Sequence, residues 1–233
     1  GPGAVFWMWV TALIGMATSF AECSLAQLYK TRDRHGQFRG GPAWYMECGL
    51  GMRWMGVLFS VFLLLSFGLI FNTVQASAVA FALDHAWHIP KWLTVSVLAA
   101  LTMLVCIRGI RGIARLAQWF VPMMAGMWVL TGLVVMVWHF DKMPQVFYLI
   151  FTGAFGFQEA ASGVMGYTLS QALTSGFQRG MFSNEAGMGS TPNAAAAASS
   201  WPPHPAAQGI VQMIGVFIDT IVVCSATAMI ILI

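Results

Sequence analysis

The chain has 233 residues, of which 58% are hydrophobic and only 8% are charged, with a net charge of +3. Soluble domains carry charges at about a quarter of their positions, so this composition excludes an ordinary soluble domain. A nucleic-acid face is excluded too, because no Lys/Arg-rich run is interleaved with aromatics. What remains is a chain built for a lipid bilayer.

A helix needs roughly 20 apolar residues to cross the hydrocarbon core. The first such run covers residues 4–29 and is followed by Lys30, Arg32, Arg34 and Arg39, with only Asp33 against them. A Lys/Arg cluster beside a span marks the cytoplasmic side, so this helix enters from outside. The segment GGPAWYM then predicts a short interfacial helix at Trp44 and Tyr45. The second span, residues 54–83, returns outward to Asp84, His85 and His88. The third, residues 92–107, ends inside at Arg108, Arg111 and Arg115. The fourth, residues 118–139, comes out again, with Pro122 near its start.

Residues 143–155, MPQVFYLIFTGAF, are too few to span and predict a helix lying in the outer interface. A discontinuous fifth span covers residues 158–180, with Arg179 toward the cytoplasm. Residues 194–205 form an inner connection, and the sixth span covers residues 208–233. The fold class is therefore all-α, a polytopic membrane protein. The chain opens at GPGAVFWMW and closes at ATAMIILI, inside apolar runs, and so reads as a piece of a longer protein.

The stretch RGMFSNEAGMGSTP, residues 179–192, places Gly180, Gly187 and Gly189 around Ser183, Asn184 and Glu185. Two readings fit it. It is a cytoplasmic connection between helices, or it is irregular backbone at membrane depth, tolerated only when buried in protein or lining a watery cavity and so a pointer to a binding site.

Asp219 stands about eleven residues into the last span, near the bilayer centre, where an acid is costly and marks function by default. Gln212, Thr220 and Thr227 share its stripe at helical spacing. Such oxygens suit Na⁺ coordination or a proton relay; they also suit a polar seam between helices. Asn72 and Gln75, three apart on the second span, either hold a substrate carboxylate or bridge helices. Phe81 is a lid or apolar filling. Glu22 is expected to pair with Lys30 or Arg32, and Gln158 and Glu159 gate entry or start a solvated helix. The four cysteines form no C-x-x-C pair and read as packing residues, without metal or disulfide. Enzyme signatures such as HExxH, G-x-S-x-G and the P-loop are missing.

Taken together, GPGAVFWMW, GMATSFAECSLAQLY, GGPAWYM, NTVQA, RGMFSNEAGMGSTPNAAAA, HPAAQG and FIDTIVVCSATA, in that order, resemble the sodium/alanine symporter family. The chain departs from the family pattern at Ser19, where a Lys is expected, and at Thr191 and Asn193. The resemblance implies Na⁺-coupled symport of a small neutral amino acid, alanine or glycine, across a bacterial inner membrane. It also implies a leucine-transporter-type inverted-repeat fold, of which this chain would hold the second to seventh helices. By the same comparison Gln75 and Phe81 line the substrate pocket, and the fifth span is a broken helix with its break within Gly163 to Gly189; Asn72, Ser183 and Asn184 are further candidate substrate-binding residues. Asp219 and Thr220 lie on the helix that touches a sodium site. The rival readings are a passive or proton-coupled channel or facilitator, and an inactive truncated membrane fragment.

Overall fold

The computed structural model describes residues 1–34, 36–107, 109–156 and 165–233. His35, Arg108, Gln158, Glu159, Gly163 and the start of the expected fifth span lie outside the described residues. The helices are α1 (Gly3–Leu28), α2 (Pro42–Leu50), α3 (Arg53–Trp87), α4 (Lys91–Ile107), α5 (Gly109–Trp138), α6 (Met143–Phe155), α7 (Met165–Asn184), α8 (Thr191–Ala197) and α9 (Pro205–Leu232). A two-residue hairpin, β1 (Thr31–Arg32) with β2 (Phe38–Arg39), pairs Thr31 with Arg39 and Arg32 with Phe38.

Among the described residues, four helices are long and apolar enough to cross a membrane: α1, α3, Gly112–Trp138 of α5, and α9. α1 has 26 residues, which at 1.5 Å per residue reach about 39 Å, more than the roughly 30 Å of hydrocarbon. α4 is apolar but has 17 residues. α7 runs unbroken from Met165 to Asn184, and irregular backbone begins at Glu185. Within α3 at Leu64–Phe71, and within α9 at Phe217–Cys224, the ladder widens into i→i+5 π-type turns. Such turns are rare, and they concentrate at functional sites.

The chain divides into two compact units, Gly1–Val57 with Met127–Ile233, and Leu58–Gly126. In the first unit α1 is the central helix, and small residues let its neighbours approach it. Gly176 and Gly180 on α7 are four apart and sit against α1. A Cβ on Gly176 would fall 2.5 Å from Trp7 Cβ and 2.6 Å from the Ala4 carbonyl, and one on Gly180 would fall 3.0 Å from Thr11 Cβ. A Cβ on Gly209 of α9 would fall 2.2 Å from Ser24 Oγ and 2.8 Å from the Phe20 carbonyl. This is the small-residue packing of membrane helices, where close backbone approach replaces a hydrophobic driving force.

The α6 helix packs into the first unit with its face of Val146, Ile150 and Ala154 buried. Val146 and Ile150 join Met229 in a core bordered by Val5, Phe6 and Trp9. The Trp7 Nε1–H donates to the Ala154 carbonyl at 2.9 Å, and Trp9 Nε1–H donates to Ser225 Oγ at 2.7 Å, so each indole is satisfied across a helix interface.

At the basic end of α1, Gln27 Nε2 donates to the carbonyls of Ala195 and Ala198, and Lys30 Nζ donates to Gln27 Oε1 (2.6 Å) and the Ala198 carbonyl (3.1 Å). At the end of α8 these donors join the Ala198 N–H at the Ala195 carbonyl and satisfy the carbonyl of Ala198, just past the helix. The Lys30 ammonium also lies 4.1 Å from the Phe38 ring centroid. Burial, and then the nearby Arg32 charge, hold the Lys30 ammonium below its usual pKa.

In the second unit the C-terminal end of α3 meets the start of α4. Lys91 Nζ is 3.5 Å from the Asp84 carboxylate and 3.8 Å from the centroid of Phe81.

Candidate functional site

The first unit gathers a polar cluster where α7 ends and α9 widens. α7 stops in an αL cap: Glu185 adopts φ 53° and its N–H donates to the Met181 carbonyl at 3.0 Å. A non-glycine residue in this region costs roughly 1–2 kcal/mol. The Glu185 carboxylate accepts the Ser190 hydroxyl, which holds the residue in place. Gly187 (φ 80°) and Gly189 (φ 81°) continue the left-handed excursions, at positions where a side chain would be strained. Asn193 Nδ2 closes the turn by donating to the Gly189 carbonyl at 2.8 Å.

The last residues of α7 face α9. Ser183 Oγ donates to Asp219 Oδ2 and lies 3.0 Å from Cys224 Sγ. Asn184 Nδ2 donates to Thr220 Oγ1 at 3.1 Å, and Asn184 Oδ1 accepts the Ala186 N–H at 3.0 Å. The Thr220 hydroxyl reaches Asp219 Oδ2 at 3.4 Å and is part of a side chain with no exposure. Asp219, Thr220 and Cys224 all belong to the π-type segment of α9. Among the described residues no Lys, Arg or His makes an ion pair with Asp219. Its carboxylate is instead met by hydroxyls, which both donate and accept. If they turn their lone pairs inward, Ser183, Thr220 and Asp219 present the oxygen donors that a hard cation requires.

The other wall is α1. A Cβ on Gly15 would come within 3.2 Å of Ala186 Cβ and 3.5 Å of the Asn184 amide, and one on Gly187 within 3.2 Å of Thr18 Cγ2. Glu22 is 8% exposed, and its Oε1 accepts the Gly187 N–H at 3.1 Å. The expected pairing with Lys30 or Arg32 is therefore replaced by a backbone donor, because Lys30 is committed to Gln27 and Ala198. Tyr45 on α2 stands near this acid: burial, then Glu22 and Cys23, push its phenol pKa up to about 12.

The expected site residues are thus distributed over both units. Ser183, Asn184, Asp219 and Thr220 are brought together in the first. Gln212 makes no hydrogen bond with them, and Thr227 turns to α5, where its Oγ1 accepts the Trp128 Nε1–H at 2.7 Å. Asn72, Gln75 and Phe81 lie on α3 in the second unit. Asn72 Nδ2 donates to the Gly68 carbonyl at 3.1 Å, Gln75 is exposed, and Phe81 is 60% exposed beneath Lys91. Two participants were not expected. Cys224 passes for packing in the sequence yet touches Ser183, and Glu22 passes for an interfacial ion-pair partner yet holds the turn.

Comparison with known proteins adds a second line of evidence. The family model described as the sodium:alanine symporter family matches residues 1–233. The chain is 69% identical over 232 residues to the uncharacterized transporter YaaJ of Escherichia coli, covering 100% of this chain and 49% of that protein. It is 49% identical over 232 residues to the amino-acid carrier protein AlsT of Bacillus subtilis, covering 100% of this chain and 48% of the relative. It is 43% identical over 235 residues to the sodium/alanine symporter AgcS of Methanococcus maripaludis, covering 99% and 50%. The chain therefore spans about half the length of these relatives.

Proposed function

The chain belongs to the sodium:alanine symporter family, a family of membrane transporters rather than enzymes, and from that premise we propose that it forms part of a carrier coupling Na⁺ entry to uptake of a small neutral amino acid, alanine or glycine. The observation that carries this reading is the Asp219 carboxylate. It lies inside a helix long and apolar enough to span, it is met by the Ser183 and Thr220 hydroxyls, and no basic side chain among the described residues balances it. An uncompensated acid at that depth is expensive, and a monovalent cation bound to it removes the expense.

In this reading Asp219 and Thr220 hold the ion, and Ser183 and Asn184 bind substrate. Asn72, Gln75 and Phe81 of the second unit are further substrate-binding residues, in a leucine-transporter-type fold of which this chain supplies six spans. The membrane is the bacterial inner membrane, and transport proceeds by alternating access. A bound Na⁺ beside the substrate carboxylate strengthens the hold on both, and that mutual strengthening is the coupling free energy. Carrying one positive charge inward adds roughly 2.3 kcal/mol of drive per 100 mV. A lid such as Phe81 selects by size, although one methylene is worth only about 1–3 kcal/mol.

The test is uptake of labelled alanine into proteoliposomes holding the complete protein, with and without an inward Na⁺ gradient. The expected result is uptake that requires Na⁺ and increases with a negative interior. Equal uptake without Na⁺ would replace this reading by a proton-coupled carrier or a facilitator.

A further inference from the structure

We propose that Glu22 is a positioning residue: by accepting the Gly187 N–H it fixes the left-handed turn after α7, so that Ser183 and Asn184 meet Asp219 and Thr220. The proposal rests on the ion-site reading above and extends it to a residue on a third helix.

Consider how the turn is held. Residues 185–189 contain three positive φ angles, at Glu185, Gly187 and Gly189, so no regular ladder stabilises them. Three of the N–H groups here find acceptors nearby in sequence: Glu185 to the Met181 carbonyl, Ala186 to Asn184 Oδ1 and Met188 to the Glu185 carbonyl. The Gly187 N–H is bound from elsewhere, by a carboxylate 165 residues away in sequence. Alternating left- and right-handed residues turn N–H groups into a concavity suited to an anion, and Glu22 supplies that anion from within the protein.

The same face of α1 touches the turn at further points, with Gly15 against Asn184 and Ala186 and Thr18 against Gly187. Those contacts set the distance between α1 and the turn. They carry no directional bond, so the rotation of the Gly187 peptide depends on Glu22. A rotated peptide would shift Asn184, whose Oδ1 is tied to Ala186 and whose Nδ2 reaches Thr220. An acid buried this far into a spanning helix is costly, and Glu22 makes no ion pair among the described residues. Its one backbone contact is the function that the geometry assigns to it.

The experiment compares Glu22→Gln, Glu22→Asp and Glu22→Ala in the complete transporter, reconstituted in lipid. Gln keeps both the length and an acceptor oxygen. Asp keeps the charge but withdraws the oxygen by one methylene, and Ala removes everything. Two readouts are taken: hydrogen–deuterium exchange of the segment 185–189, and the Na⁺ concentration for half-maximal uptake. Expected is faster exchange, with half-saturating Na⁺ raised about tenfold, in Asp and Ala, at a maximal rate within about twofold of wild type; Gln should match wild type in both. If the Ala variant does not fold, the Gln and Asp pair decides. A wild-type-like Asp with an impaired Gln would overturn the proposal in favour of a role for charge. Wild-type exchange in all three would overturn it outright. Should wild-type uptake show no Na⁺ dependence, the ion-site reading falls, and the exchange measurement alone decides whether Glu22 holds the turn.

Discussion

The Asn184 amide donates to the Thr220 hydroxyl at 3.1 Å, linking the last residue of α7 to the π-type segment of α9. The link is part of a chain of polar contacts that runs from the backbone of the turn to the Asp219 carboxylate. Thr220 is fully buried, and its hydroxyl accepts from Asn184 while reaching Asp219 Oδ2, so it couples the two helices.

That interdependence predicts non-additive stabilities. Asn184→Ala and Thr220→Val should each cost about 0.5–1.5 kcal/mol, because each removes the hydrogen bond between α7 and α9. The double variant should cost less than the sum, with a coupling on the order of 1 kcal/mol. Thermal denaturation of the four proteins in detergent measures this, and strict additivity would show that the two side chains do not interact.

Asp219→Asn keeps the size and an acceptor for Ser183 but removes the negative charge. The expected outcome is a protein that inserts and is stable, while Na⁺ stimulation of uptake falls by at least about 100-fold, in keeping with the several kcal/mol carried by a charge in low dielectric. Uptake measured against Na⁺ concentration checks it. An unchanged Na⁺ dependence would remove Asp219 from the ion site.

Two glycines on α7 give a controlled test of the helix packing. A Cβ at Gly176 would overlap Trp7 and the Ala4 carbonyl, whereas at Gly166 nothing among the described residues lies within 4 Å. Gly176→Ala should therefore lower the thermal midpoint through overpacking of about 1–3 kcal/mol. Gly166→Ala should leave it unchanged or raise it slightly, since alanine is favoured in a helix by about 1 kcal/mol. Equal effects at the two positions would count against the α1–α7 contact.

Gln27 supplies donors to the Ala195 and Ala198 carbonyls at the end of α8. Gln27→Leu retains bulk and removes both donors, so the segment 195–200 should fray. Hydrogen exchange or limited proteolysis there should accelerate about tenfold or more, corresponding to roughly 1–3 kcal/mol of lost protection.

Much of this was legible in the residues. Apolar runs such as those ending at Leu28 and Leu232 demand helices, because only an internally bonded backbone survives in lipid. The motifs around FSNEAG and FIDT identified the family across the chain, in agreement with the family match over residues 1–233. The aromatic Trp44 and Tyr45 marked a short helix, and Pro42–Leu50 is one. Asp219 stood out because an acid amid apolar residues has few structural excuses.

Sequence by itself therefore determined the helical membrane class, the family and the residues too polar to be there by accident, since each follows from local composition and hydrogen-bonding necessity. Tertiary structure alone decided which of those residues meet. Nothing local tells Glu22 to bind Gly187 rather than Lys30, Cys224 to sit on Ser183, or Thr227 to leave the Asp219 stripe for Trp128. Such pairings depend on the close approach allowed by Gly15, Gly176, Gly180 and Gly209, and on a π-type turn that shifts α9 out of simple 3.6-residue register. The contacts join residues up to 165 positions apart, and only packed helices bring such residues within hydrogen-bond reach.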